Sequence, residues 1–322
     1  MNKIIFTLCS NNYLAQASLL VTSFLQHNAD YTFYIGLVDA VNTSVLYPTH
    51  PAVKVLPCEE VLTKDLLKGM AQRYKIVELN TSLKPFYIEY FFRLYENCTV
   101  IYLDPDIYVY HSFDDIEEML RSNEIILTPH CLTPIPLDER EPQERSFMKY
   151  GTYNLGFVAL RKSANSVRFV KWLQERLAIL CYSEVGIGVY VDQSWINLVP
   201  IFFENVYVSR HPGMNAAFWN LHERNFEMDK DRITVNKEYP LLFFHFSSFN
   251  TNSWMQLANN QNRFTVADRP DIETLFRDYA VSFTTAKQQY KSDIECIFMK
   301  RTFKQKLLYY WNRYQIRKEL AI

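Results

Sequence analysis

Apolar and polar positions along the chain come in short blocks. Residues 3–8 form an apolar run bounded by polar side chains, the pattern of a strand buried on both faces. Asn11 or Asn12 then caps a helix predicted over 13–26, where Leu14, Ala17, Leu20, Val21, Phe24 and Leu25 recur at helical spacing. Strands are predicted at 31–38 and 53–56, helices at 60–74 and 82–95, and a strand at 99–103. This order, β-α-β-β-α-α-β, predicts an α/β fold with a mostly parallel sheet. After a strand at 125–128, the segment 134–148 is rich in proline, glutamate and arginine, which marks a lid or an acceptor loop. A strand at 153–160, a helix at 167–180 and a strand at 241–246 follow. No internal repeat or low-complexity tract is present.

Composition removes several classes. Only 7 glycines occur in 322 residues, where roughly 7% is usual. Gly186 and Gly188 have no third partner for a dinucleotide fingerprint, and no GxxxxGK[ST] phosphate loop exists. Six cysteines lie far apart without a CxxC pair, so zinc ribbons are excluded and reduced thiols in a cytoplasmic protein are expected. A net charge of -1 argues against a nucleic-acid binder. The opening apolar run is too short for a signal peptide, and no run reaches the ~20 residues that span a bilayer.

The sharpest chemical signal is the strand Val100-Ile101-Tyr102-Leu103 ending in Asp104-Pro105-Asp106. Carboxylates at i and i+2 converge on one cation where the chain turns, and Pro105 helps that turn. Hard oxygen ligands suit Mg²⁺ or Mn²⁺, which also hold a diphosphate. The strand's carboxyl end is where open α/β sheets bind ligands.

This strand–DxD unit resembles the metal site of GT-A-fold glycosyltransferases, and most of all glycosyltransferase family 8 and related bacterial enzymes of lipopolysaccharide or capsule synthesis. The resemblance runs over roughly residues 1–250. It implies that Thr7, Asn11, Asn12 and Tyr13 hold the donor nucleotide, that Lys84 contacts the donor, and that Asn154 and Gly156 of Tyr153-Asn154-Leu155-Gly156-Phe157 lie over the donor sugar. It further implies that Asp192 and Gln193 sit beside the anomeric centre as catalytic residues. Asp104, Asp106 and His245 become the metal ligands, for Mn²⁺ or Mg²⁺. One departure stands out. The family's His-x-x-Gly-x-x-Lys-Pro-Trp is replaced by His245-Phe246-Ser247-Ser248-Phe249-Asn250, so the lysine that meets the diphosphate is missing, with Lys84 or Arg210 as substitutes. The segment 209–224, with Trp219, is expected to wall the donor or acceptor pocket.

The implied function is transfer of a sugar from a nucleotide sugar, UDP-linked by default, to a saccharide or lipid-linked acceptor with retention. An inverting enzyme using a GDP- or dTDP-sugar, a sugar nucleotidyltransferase and a non-catalytic carbohydrate binder are the alternatives. The expected organisation is a catalytic domain over 1–265, divided at 128, and a helical tail over 266–322. Within 300–322 lie seven cations and one acid, in a chain whose total is negative. Phe303, Leu307, Tyr310, Trp311 and Tyr314 form a stripe there at helical spacing. Such a helix either anchors a cytoplasmic protein peripherally on an anionic membrane face or packs on the domain.

Overall fold

The computed structural model describes residues 1–229, 232–290 and 293–320. Its centre is a seven-stranded sheet in the order β10-β6-β7-β4-β1-β2-β3. These strands are β1 (Asn2–Cys9), β2 (Thr32–Leu37), β3 (Val53–Pro57), β4 (Cys98–Leu103), β6 (Ile125–Pro129), β7 (Tyr153–Arg161) and β10 (Val206–Val208). β1 runs parallel to β2 and β4, β2 to β3, and β6 to β10, while β7 is antiparallel to β4 and β6. The sheet is thus mostly parallel, as the sequence predicts. β4 is buried at every position, which is why it reads as one unbroken apolar run.

Side chains of β1 divide between two cores. Ile5 and Cys9 join a cluster with α1 (Leu14–His27), α5 (Asp114–Ser122) and α10 (Glu273–Gln289); Ile4, Phe6 and Leu8 face α3 (Lys64–Arg73), α4 (Ile76–Leu94) and α7 (Ala164–Leu177). The result is three layers, helices on both faces of one sheet. No helix among the described residues is long and apolar enough to cross a membrane. All six cysteines are free.

Several elements depart from the expected bounds. The helix expected at 60–74 divides into α2 (Cys58–Val61) and α3, because Leu62 and Thr63 are extended. The helix expected from 82 begins at Ile76 and carries Pro85 in its interior. In 134–148, α6 (Glu144–Tyr150) forms, and the preceding loop is pinned by Arg263, whose two terminal nitrogens donate to Asp138 at 2.8 Å each. The short strands β8 (Ser183–Glu184) and β9 (Val189–Tyr190) form a hairpin before α8 (Gln193–Ile196) and α9 (Val199–Phe202). A three-stranded antiparallel sheet comprises β11 (Phe226–Asp229), β12 (Arg232–Val235) and β13 (Tyr239–Pro240).

Two short strands matter most, one lying within the strand expected at 241–246 and one that was not expected. β5 (Ile107–Val109) pairs antiparallel with β14 (Phe243–His245), setting Ile107 opposite His245. α10, expected within the tail, packs on α1 and backs β14: the rings of Phe246 and Tyr279 stack 3.7 Å apart at 2°.

The terminal helix α11 (Phe303–Leu320) packs on the domain by one face. Arg313 donates to both carboxylate oxygens of fully buried Glu78 at 2.8 and 3.1 Å, and also to Glu184. Arg317 reaches Glu184 at 2.7 Å. Glu78 accepts the backbone N–H groups of Lys75 and Ser183 as well, so one carboxylate joins α4, the β8 hairpin and α11. Removing one partner of such a buried pair strands the other. Arg313→Ala is therefore expected to cost roughly 3–5 kcal/mol, read as a large fall in the thermal unfolding midpoint. Adding Glu78→Gln to that variant is expected to cause little further loss; additive losses would mean the pair is not coupled.

Candidate functional site

The turn after β4 is fixed by its own backbone. Ile107 N–H donates to the Asp104 carbonyl at 3.1 Å, closing a turn with Pro105 at its second position, a place that its fixed φ suits. Asp104 N–H donates to the Gly156 carbonyl at 2.8 Å, and Phe246 N–H to the Asp106 carbonyl at 2.9 Å. These bonds tie the turn to β7 and to the end of β14.

His245 thereby arrives beside both carboxylates. Its Nε2 lies 3.0 Å from Asp106 and 3.8 Å from Asp104. One ligand atom from each of the three residues lies within 4.8 Å of the others. The aspartates are 32% and 25% exposed and the histidine 4%, so the carboxylates face outward over a buried imidazole. Burial opposes a charged imidazolium, but Asp106, with Asp104 behind it, outweighs that and holds His245 above its ordinary value. Burial likewise raises Asp106, and the His245 charge more than reverses it. Two oxygen donors and one imidazole nitrogen suit Mg²⁺ or Mn²⁺, and three protein ligands leave coordination positions open for phosphate oxygens.

Gly156 explains its own identity. A Cβ there would stand 2.6 Å from Cε1 and 2.8 Å from Nδ1 of His245, and 2.7 Å from Oδ1 of Asn154. The glycine makes room for the histidine ring, and Trp219 stands edge-on to that same ring with centroids 5.2 Å apart. Tyr102, which the sequence did not single out, donates its hydroxyl to Asp104 at 2.6 Å.

The other expected site residues divide into exposed and engaged groups. Tyr13 is partly exposed, and its phenol is raised by partial burial and then by the charges of Asp106 and Asp104. Asn12 accepts from Ser10 at 2.8 Å. Asn11 is buried, bonded to the Ala40 carbonyl and the Tyr47 hydroxyl, and its N–H faces Asp39 at 3.4 Å. Thr7 is buried with its hydroxyl unpartnered among the described residues.

Lys84 does not face a donor as a free cation. Its ammonium donates to Asp192 and to the Leu155 carbonyl, both at 2.6 Å, and both members of the ion pair are 3% exposed. It also lies 4.2 Å from the centre of the Tyr102 ring. Burial raises Asp192, and Lys84 opposes that shift. Gln193 is bonded at both ends: its oxygen accepts from Asn154 and Leu155, and its nitrogen donates to the Tyr150 carbonyl. Asn154 in turn accepts from Gly156 and Asn215 and donates toward His130. The segment 209–224, expected to wall the donor or acceptor pocket, is largely buried: Asn215, Trp219, Asn220 and Arg224 all lie inside. Burial lowers His130, stacked on Phe147, to about 4. Nothing in the local sequence marks His130, Asn215 or Tyr102. Their partners lie on other strands.

Gly156→Ala is expected to leave the fold intact but to push the His245 ring aside, weakening Mn²⁺ binding on the order of tenfold to a hundredfold. Gly186→Ala, where a Cβ meets nothing within 4 Å, is the control. Manganese binding followed by electron paramagnetic resonance decides it, and unchanged affinity in Gly156→Ala would remove His245 from the ligand set. Asp192→Ala leaves the buried Lys84 ammonium unpaired and is expected to destabilise by roughly 3–5 kcal/mol. Chemical denaturation of Asp192→Ala beside Lys84→Met/Asp192→Leu measures this; the double variant is expected to be the more stable.

No family model matches the chain. In Bacillus subtilis (strain 168), the uncharacterized protein YfnF is 24% identical over 273 residues, covering 84% of this chain and 89% of YfnF. YfnD of the same organism is 24% identical over 255 residues, 76% of each chain. Among solved structures, the galactosyltransferase LgtC in complex with donor and acceptor sugar analogues superposes with a TM-score of 0.50 at 16% identity, covering 91% of this chain and 98% of LgtC. The glycosyltransferase GlyE of Streptococcus pneumoniae TIGR4 gives 0.50 at 15% identity, covering 92% of this chain and 66% of GlyE. The mostly parallel sheet, the aspartates at the end of β4 and these likenesses give the chain a GT-A fold.

Proposed function

We propose that this protein is a glycosyltransferase that moves a sugar from a nucleotide-sugar donor to a saccharide or lipid-linked acceptor. The observation that carries the reading is the convergence of Asp104, Asp106 and His245 at the carboxyl end of β4 in a GT-A fold. LgtC, whose structure holds donor and acceptor sugar analogues, supports donor and acceptor of these classes. A UDP-sugar is the donor we favour.

A divalent cation, Mn²⁺ or Mg²⁺, bound there would neutralise charge building on the leaving diphosphate. Asp104 and Asp106 would supply the oxygens and His245 the nitrogen. Tyr102 orients Asp104 by its hydrogen bond, and Gly156 lets the imidazole approach. Tyr13, partly exposed, offers a ring face to the donor base. Asp192, 2.6 Å from Lys84, is engaged as a counter-ion. An inverting reaction would need a carboxylate free to take the acceptor proton, so retention, with the leaving phosphate accepting it, fits this arrangement better. With Lys84 engaged, Arg210 is the remaining candidate for the diphosphate contact; it is exposed and only 3.5 Å from its one acceptor, the Leu132 carbonyl.

Asp106→Asn is expected to reduce Mn²⁺-dependent release of UDP from UDP-sugars on the order of a hundredfold or more, with an unchanged unfolding midpoint. Full turnover by the variant, or by wild type in excess EDTA, overturns the metal site. A wild type that neither cleaves nor is stabilised by any UDP-, GDP- or dTDP-sugar overturns the transferase reading.

A further inference from the structure

α11 uses one face for docking, with Tyr309 and Arg313 buried and Ile316 packed on the core. The opposite face carries Phe303, Leu307, Tyr310, Trp311 and Tyr314, every one more than half exposed. Spaced i, i+4, i+7, i+8 and i+11, they form one continuous ridge. Lys304 and Lys306, one helical step beyond the ridge on either side, are both exposed. Beside the ridge an open groove of about 390 Å³ runs between α3 and α11. Four cations line it, Lys64, Lys68, Lys300 and Arg301, against the single carboxylate Glu59. Arg301 keeps a buried Nε with no acceptor among the described residues.

Monomeric proteins rarely leave a contiguous aromatic patch in water. Rings of Tyr and Trp favour the boundary between an apolar phase and water, and lysines near it meet lipid phosphates. The groove's excess of cations and the lysines flanking the ridge complement an anionic lipid surface. We infer that the outward face of α11, with the basic groove beside it, seats this protein on an anionic lipid bilayer. The aromatic ridge enters the headgroup region while the lysines and the groove meet the phosphates. The inference does not rest on sugar transfer, since vesicle binding is measured without donor or acceptor.

The test is sedimentation of the full chain with phosphatidylcholine vesicles, with and without phosphatidylglycerol, at low and high salt. The expected result is binding to the anionic vesicles alone, weakened by salt. Tyr310→Ser/Trp311→Ser/Tyr314→Ser and Lys304→Gln/Lys306→Gln are each expected to lower it on the order of tenfold or more, with unfolding midpoints unchanged. Should the aromatic variant fail to fold, the lysine variant carries the test. Three outcomes overturn the inference: wild type left in the supernatant with anionic vesicles at low salt; a folded variant that binds as wild type does; or a dimer, measured by light scattering, that the ridge variant dissolves while vesicles go unbound.

Discussion

The site depends on one backbone pairing, β14 laid antiparallel on β5. Without it, Asp104 and Asp106 are two acids on a surface turn. With it, Ile107 stands opposite His245, and an imidazole enters from beneath both carboxylates. The ends of this pairing are far apart in sequence, and the entropy of closing so long a loop grows only slowly with its length. What holds the three-residue strand is packing on its far side. Phe244 and Phe246 meet Phe276 and Tyr279 of α10, a helix from beyond the segment that carries the chemistry. The histidine's position is therefore set by an aromatic cluster on the far side of its strand.

Helix α4 has a comparable role for the buried charges. It carries both Glu78, paired with Arg313 and Ser183, and Lys84, paired with Asp192. Buried ion pairs add little net stability against apolar replacements, yet an unpaired member is costly. Their physical effect here is to fix geometry. One rigid helix sets the position of the chain at Asp192 on one turn and of α11 on another. Pro85 follows Lys84 directly, inside the helix, where it removes one backbone donor.

What the sequence disclosed follows the range of the interactions involved. The buried strand, its terminal Asp-Pro-Asp and the parallel sheet arise from contiguous residues, and pattern alone revealed them. β5, three residues long, is too short to carry a period, and β14 lies within an expected strand whose pairing with β5 no local pattern discloses. Lys84 reads as a donor contact because its counter-ion, Asp192, lies 108 residues further along the chain. Gly156 suggested proximity to a sugar, whereas the space it leaves is filled by His245. Trp219 stands out because aromatic and polar residues surround it in sequence, and in space its ring packs on His130 and His245. Each of these assignments turns on a partner from a distant strand or helix.

The tail shows why formal charge is a poor guide to surface charge. Of its seven cations, Arg313 and Arg317 are bound to glutamates and Arg301 to the carbonyls of Ala71 and Tyr74. Lys300, Lys304, Lys306 and Lys318 remain turned to solvent. The arginines, with planar donors suited to two-pronged contacts, hold the helix on the domain, and the lysines stay outside. Basic residues that looked alike in sequence thus have opposite structural roles. Any attraction of this helix to an anionic surface would rest on four lysines rather than seven cations, and the exposed aromatic ridge would supply the apolar burial that charge alone does not provide.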